Sequence, residues 1–370
     1  MNNLRILSLL AIVILAAPTS NSQTTWQGTT ATWSTAANWS TGTSPATGPQ
    51  LAIYPGNATI QVLDLAGATG RVSIGQQFDF FGGGIGYTFN GTAGSVVGFF
   101  TRAGGTVNGI INNDDNAQTF NVPVKLTSGT GIAGAGAAMT WNAAAGNMVF
   151  NGNNNAPAAP WTINLNGASA LTIDGAFNIT IGSSGPGQIV NTNVGTSTGL
   201  IKNGTGTLTL GGTAANTYTG TNFLNNGTIL AAKADALGAG NAIIMSGGIL
   251  DTGGLNQSFG ILDLEGTATL DFGAGASTVS FASSSTLDWG SFTLNITDWT
   301  EGVDSLRFGT DGTGLTAAQL SQIVFSDLGN TTAFIDGNGF ITSVPEPSTY
   351  ALGLLGGLSL AVMLMRHRRK

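Results

Sequence analysis

A short strand closed by Asn-Gly or Asp-Gly recurs along this chain, and the repetition limits the folds open to it more than any other feature. It stands as Tyr87-Thr-Phe-Asn-Gly91, Met148-Val-Phe-Asn-Gly152, Ile163-Asn-Leu-Asn-Gly167, Leu171-Thr-Ile-Asp-Gly175 and Ala333-Phe-Ile-Asp-Gly337. Alternation sends the first and third residues of each unit to one face, and the Asn/Asp-Gly pair supplies the positive φ of a sharp reversal. Two architectures satisfy this pattern. One is a β-solenoid, in which short strands of successive turns stack and bury a continuous core. The other is an antiparallel sandwich, or a set of them, built from hairpins. Long amphipathic helices are missing from the pattern, so either reading is all-β. One short helix is expected near the end, where Thr316-Ala-Ala-Gln319 forms a capping box opening a segment to about Ile323.

Composition narrows the chemistry. With no cysteine, the chain has no disulfides, no thiolate metal site and no cysteine nucleophile. Charged residues make up only 8%, glycine numbers 57 and mean hydropathy is +0.22, too apolar for ordinary disorder. Between residues 23 and 343 only Arg71, Arg102, Lys125, Lys202, Lys233 and Arg307 are basic, against nearly all of the 18 carboxylates. Such a surface has no charge with which to bind nucleic acid.

Both ends read as addresses. Arg5 precedes an apolar stretch from Ile6 to Ala17, with small residues at Ser20 and Ser22, so residues 1–22 are expected to be a signal peptide cleaved near Ser22. At the other end Pro345-Glu346-Pro347 is followed by an apolar run over 350–365 and a basic terminus containing Arg366, Arg368, Arg369 and Lys370. The prolines stiffen an extended segment that a membrane protease could bind, and the cations hold the terminus in the cytoplasm. The apolar run falls short of the ~20 residues of a full span, so it suits a transient stop better than a permanent anchor. The three parts of this tail, 344–370, resemble the PEP-CTERM sorting signal. That resemblance implies bacterial export, processing by an exosortase-type protease, transient anchoring in the inner membrane, and delivery to the cell surface or extracellular matrix. An unprocessed tail anchor is the alternative.

The segment 199–230 bears on the choice of fold. It contains Gly199-Leu-Ile-Lys-Asn-Gly-Thr-Gly-Thr-Leu-Thr-Leu-Gly211, Asn216-Thr-Tyr-Thr-Gly220 and Asn226-Gly-Thr-Ile-Leu230, and it resembles the autotransporter-associated β-strand (passenger-associated transport) repeat. The resemblance implies a right-handed parallel β-helix with Leu208 and Leu210 inward, Tyr218 at a corner and glycines in turns. The membrane β-barrel that ends an autotransporter is not evident in this sequence. The expected organisation is a Trp-rich N-terminal cap at 23–60 carrying Trp26, Trp33 and Trp39, a solenoid at 61–286, a C-terminal cap at 287–343, and the sorting tail. The tryptophans could instead form a sugar-stacking platform; their spread to Trp141, Trp161, Trp289 and Trp299 argues for packing.

Several strings imitate catalytic motifs. Gly195-Thr-Ser197-Thr-Gly199 has the pattern of a nucleophile elbow, but the sole histidine, His367, lies beyond the apolar tail segment. Gly129-Thr-Gly131-Ile-Ala-Gly134 matches a dinucleotide fingerprint without a strand-to-helix context. Asn112-Asn-Asp114-Asp115-Asn116 offers the hard oxygens that Ca²⁺ accepts, but the repeated Ca²⁺-binding nonapeptide is absent, so a water-exposed Asn/Asp turn is the favoured reading and no cofactor is expected. Asp263 and Glu265 share a strand face and could act as a glycosidase pair. Arg307 is expected to pair with Asp304. The reading that gathers most of this is a non-enzymatic, surface-sorted structural or adhesive protein, with a carbohydrate-binding or polysaccharide-cleaving β-helix as the alternative and an extracellular polysaccharide as a partner.

Overall fold

In a computed structural model, the chain is described over residues 22–27, 35–40, 50–55, 62–64, 72–74, 77–81, 86–91, 97–101, 107–122, 124–128, 139–151, 161–165, 171–182, 188–190, 199–329 and 331–344. These residues wind repeatedly past three faces, and on each face the strands of successive turns pair in parallel. The first face is a ten-stranded sheet from Ser22–Thr25 to Leu262–Leu264. The second runs in parallel from Val62–Asp64 to Ile323–Phe325. Five strands from Val72–Ile74 to Gln188–Val190 form the third face in the N-terminal half, and Gln257–Ser258, Thr278–Phe281 and Ser305–Phe308 resume it near the end.

This is the architecture of a parallel β-solenoid, and the sandwich is set aside. Side-chain alternation drives it. In Thr207–Leu210, Leu208 and Leu210 are buried while Thr207 and Thr209 are half-exposed. Leu208 lies in register between Ile179 and Ile229, so one apolar row continues from rung to rung. Parallel strands ~4.8 Å apart bring aromatic rings to stacking distance when they occupy equivalent positions. Phe89 and Phe120 stack at 4.7 Å between centroids, Phe120 and Phe150 at 4.8 Å, and a second column of Phe259, Phe281 and Phe308 repeats at 5.1 and 4.8 Å.

The Asn-Gly units turn the chain by another device than the hairpin reversal expected of them. Those at Tyr87 and Met148 lie two parallel turns apart, on either side of the strand Gln118–Phe120, and their asparagines form a ladder with Asn121 of the turn between. Asn121 Nδ2 donates to Asn90 Oδ1 at 2.8 Å across 31 residues, and Asn151 Nδ2 donates to Asn121 Oδ1 at 2.8 Å across 30. At Asp174-Gly175 the glycine does adopt a positive φ of 94°, and a Cβ there would lie 2.5 Å from the Ala143 carbonyl carbon. Only the last of the described units, before Gly337, makes an antiparallel hairpin, pairing Thr331–Ile335 with Phe340–Val344.

The repeat shortens between 199 and 265 and lengthens again beyond, where Ser277 N donates to Asp304 Oδ1 across 27 residues. Asn225 Nδ2 reaches Asn203 Oδ1 across 22 residues, and Ser246 Oγ reaches Glu265 across 19. Where the turn is short, side-chain amides replace the third strand. Asn216 Oδ1 accepts from Ile189 N at 2.8 Å and its Nδ2 donates to Ala236 O; Gln257 Oε1 then accepts from Ala236 N at 3.0 Å. The backbone groups of a missing strand are thus satisfied without one.

At the N-terminal end Trp26 and Trp39 are both buried and meet edge to face at 5.2 Å. At the other end the capping box is present, with Gln319 N donating to Thr316 Oγ1 and Thr316 N to Gln319 Oε1. The helix covers Ala317–Ser321 only, because Ile323–Phe325 has already joined the second face. The final hairpin pairs on one side with Ile323–Phe325 and on the other with Ser305–Phe308, both antiparallel, so it joins two faces of the last turns. Among the described residues no helix is long and apolar enough to cross a membrane, and the expected segment 350–365 lies outside them.

Candidate functional site

The sorting motif follows directly on an anchored strand. Val344 pairs with Thr332, and Ser343 Oγ donates to Glu301 Oε2 at 3.0 Å. Pro345 brings no backbone N–H, so the ladder cannot take it as a donor. Pro345, Glu346, Pro347, Arg366, Arg368, Arg369 and Lys370 themselves lie outside the described residues, as do residues 1–21, Trp33, the Gly129 fingerprint and Ser197.

Most of the candidate chemical groups that are described are engaged in the scaffold. In the proposed Ca²⁺ turn, Asn112 Nδ2 donates to the carbonyls of Asn116 and Asn147 at 3.0 Å, and its Oδ1 accepts from Asp114 N. Asp114 is buried, and its Oδ1 accepts from Asn116 N and Nδ2. Its second oxygen has no partner, yet no group of three or more acidic, histidine or cysteine side chains able to hold a metal occurs among the described residues. Asp263 has its acidity weakened by desolvation first, and then by the charges of Glu265 and Asp288. Neither Asp263 nor Glu265 borders the groove described below.

The lysines are equally committed. Burial lowers Lys202 to about 8, against the opposing pull of Asp174, which would suit a base. Its Nζ donates instead to the corner carbonyls of Gly204 and Asn226 inside the stack. Burial also lowers Lys233 to about 8, while Nζ donates at 2.8 Å to Ala214 O and to Asn216 Oδ1. Tyr218 occupies a corner, buried, with its hydroxyl donating to Asn222 Oδ1 at 2.7 Å and its acidity suppressed by desolvation. Trp26 and Trp39, buried against one another, present no platform for a sugar ring.

Arg307 departs from expectation. Asp304 is buried and turned to Ser277 N and Thr300 N, accepting from them at 3.0 and 2.8 Å. Arg307 points outward, donates from Nε to Asn338 O at 3.0 Å, and lies 5.4 Å from the centroid of Phe340. The alternation of Ser305–Phe308 explains the difference: Leu306 and Phe308 face the core, so Arg307 must face solvent. There it borders a groove of about 460 Å³ with Ser258, Ser280, Ser283, Asp311 and Thr313. Nothing local in the sequence joins these residues, because register across three turns assembles them.

Fold and site together define a parallel β-solenoid with an open groove on its last turns and a tail that begins where its closing hairpin ends. Residues 343–370 match the PEP-CTERM protein-sorting motif. The motif marks an exported protein sorted to the cell surface. No curated protein and no solved structure matches the chain.

Proposed function

We propose that this chain is a structural or adhesive β-solenoid of the bacterial envelope or extracellular matrix, without catalytic activity. It is released from a transient inner-membrane stop at 350–365 by exosortase-type cleavage of its tail. The observation that carries this reading is the continuity of the stack from Ser22–Thr25 to a closing hairpin that ends one residue before Pro345. Every described turn is occupied by packing, and the address begins where the packing ends. The right-handed β-strand repeat at 199–230 belongs to the same proposal; the inward Leu208 and Leu210 and the cornered Tyr218 support it. Polysaccharide cleavage is the weaker reading, since Lys202 and Lys233 are held by carbonyls inside the scaffold. Carbohydrate binding is compatible with the groove beside Arg307.

The test is replacement of Pro345, Glu346 and Pro347 by alanine in the native host. The parent should lose its C-terminal peptide including Lys370, by mass spectrometry, while the variant is still exported but retained uncleaved in the membrane. An intact Lys370 terminus on the parent, with both proteins at the same location, would reduce the tail to an ordinary anchor.

A further inference from the structure

We propose that the groove beside Arg307 is a binding site for a neutral, hydroxyl-rich oligosaccharide lying across the strands of the last turns. This gives the adhesive reading a ligand class and rests on that reading only for the protein's location. Register builds the site. Ser258 pairs with Ser280, and Ser280 with Arg307, so three outward polar side chains recur at the ~4.8 Å spacing of adjacent strands. Across the antiparallel pair the row continues with Phe340, about one third exposed.

The lining answers the chemistry of a sugar. A sugar hydroxyl both donates and accepts; serine offers both functions, guanidinium only donates, and an ionised carboxylate only accepts. The groove contains all three kinds. Asp311 is held ionised by hydrogen bonds from the Thr313 hydroxyl and backbone N–H, which lower its pKa. A carboxylate in the lining disfavours a polyanion. The rings of Phe259 and Phe281 are buried beneath the groove, whose exposed lining is as much apolar as polar, matching the alternation of hydroxyls and C–H groups on a sugar. The edge of Phe340 can meet the C–H face of a pyranose at the margin. Arg307 is already oriented by Asn338 O and the Phe340 ring, so binding need not order a free long side chain. The volume of about 460 Å³ is of the size that binding clefts have.

Calorimetric titration of the full-length chain with cellohexaose, mannohexaose and oligogalacturonate tests the assignment. At least one of the two neutral hexasaccharides should bind, and Ser280→Tyr, which fills the groove from outside the core, should weaken it at least tenfold. Arg307→Met should do the same. Thr269→Tyr, outward on the second face, should leave binding and the circular dichroism melt unchanged. If Arg307→Met loosens the hairpin, Ser280→Tyr alone decides. Failure of both neutral sugars to bind at millimolar concentration, binding confined to oligogalacturonate, or binding indifferent to Ser280→Tyr would each overturn the proposal. Because titration does not depend on sorting, a failed groove and a failed surface assignment are read separately.

Discussion

Replacing Leu208 with alanine tests the stacked core at a single point. The side chain is fully buried, with Ile179 and Ile229 in register on either side. Truncating a buried leucine costs about 2–5 kcal/mol, the larger losses falling where the surroundings cannot collapse into the space. Here the hydrogen-bonded ladder fixes the neighbouring rungs at their spacing, so we expect a loss of about 4 kcal/mol. At 1.4 kcal/mol per tenfold, that is about a thousandfold rise in local opening. A stack in which each turn touches mainly its neighbours should show the loss locally. Hydrogen exchange followed by mass spectrometry should therefore accelerate in peptides covering 179–181, 207–210 and 228–231, and stay near the parent rate over 305–308. Thr209→Ala, on the outward side of the same strand, should change stability by no more than about 0.5 kcal/mol. If exchange over 207–210 were no faster in Leu208→Ala than in Thr209→Ala, the inward row would not hold the rungs together.

Two further perturbations address the corners and the buried cations. In Gly206→Ala the new Cβ would lie 2.6 Å from the Phe177 carbonyl carbon and closer still to its oxygen, both backbone atoms that cannot swing aside; the urea midpoint should fall clearly, and an unchanged midpoint would show that the turns can slide apart. Lys202 and Lys233 titrate at about 8 in the folded chain, against about 10.4 when unfolded. Between those values the unfolded chain binds more protons, so stability should rise with pH from about 8 to about 10, the penalty being fully present below 8. Denaturation at about pH 7 and about pH 10 checks this; a parent whose gain in stability over that interval is no larger than that of a Lys202→Met/Lys233→Met variant would remove the effect.

Much of the stack could be read from short patterns, because alternation and capping are local. Leu208 and Leu210 declare their direction within one strand, and Thr316 with Gln319 declares a helix start within four residues. What stayed hidden depends on partners a whole turn away. Asn90 looks like a turn residue, yet its side-chain oxygen accepts from the amide of Asn121, a whole turn away. Arg307 looks ready to pair with Asp304, but the alternation that buries Leu306 sends the two side chains to different surroundings. The groove was illegible for the same reason: Ser258, Ser280 and Arg307 become neighbours only once the turn length is known, and that length varies from turn to turn.

The asparagine ladder also governs how the molecule ages. Asparagine followed by glycine normally loses its amide through a cyclic imide, which requires the side-chain carbonyl to swing round to the next backbone nitrogen. In Asn90-Gly91 and Asn151-Gly152 the carboxamides are instead tied to Asn121 from opposite sides. Deamidation there has to wait for two turns to part, so the chemical lifetime of these sites is tied to the opening of the stack. Asn226, whose Oδ1 accepts only from the adjacent Gly227 N at 2.8 Å and which is exposed, has no such tether. In protein held for long periods outside the cell, aspartate and isoaspartate should accumulate at Asn226 well before Asn90 or Asn151, making that corner the clock of the structure.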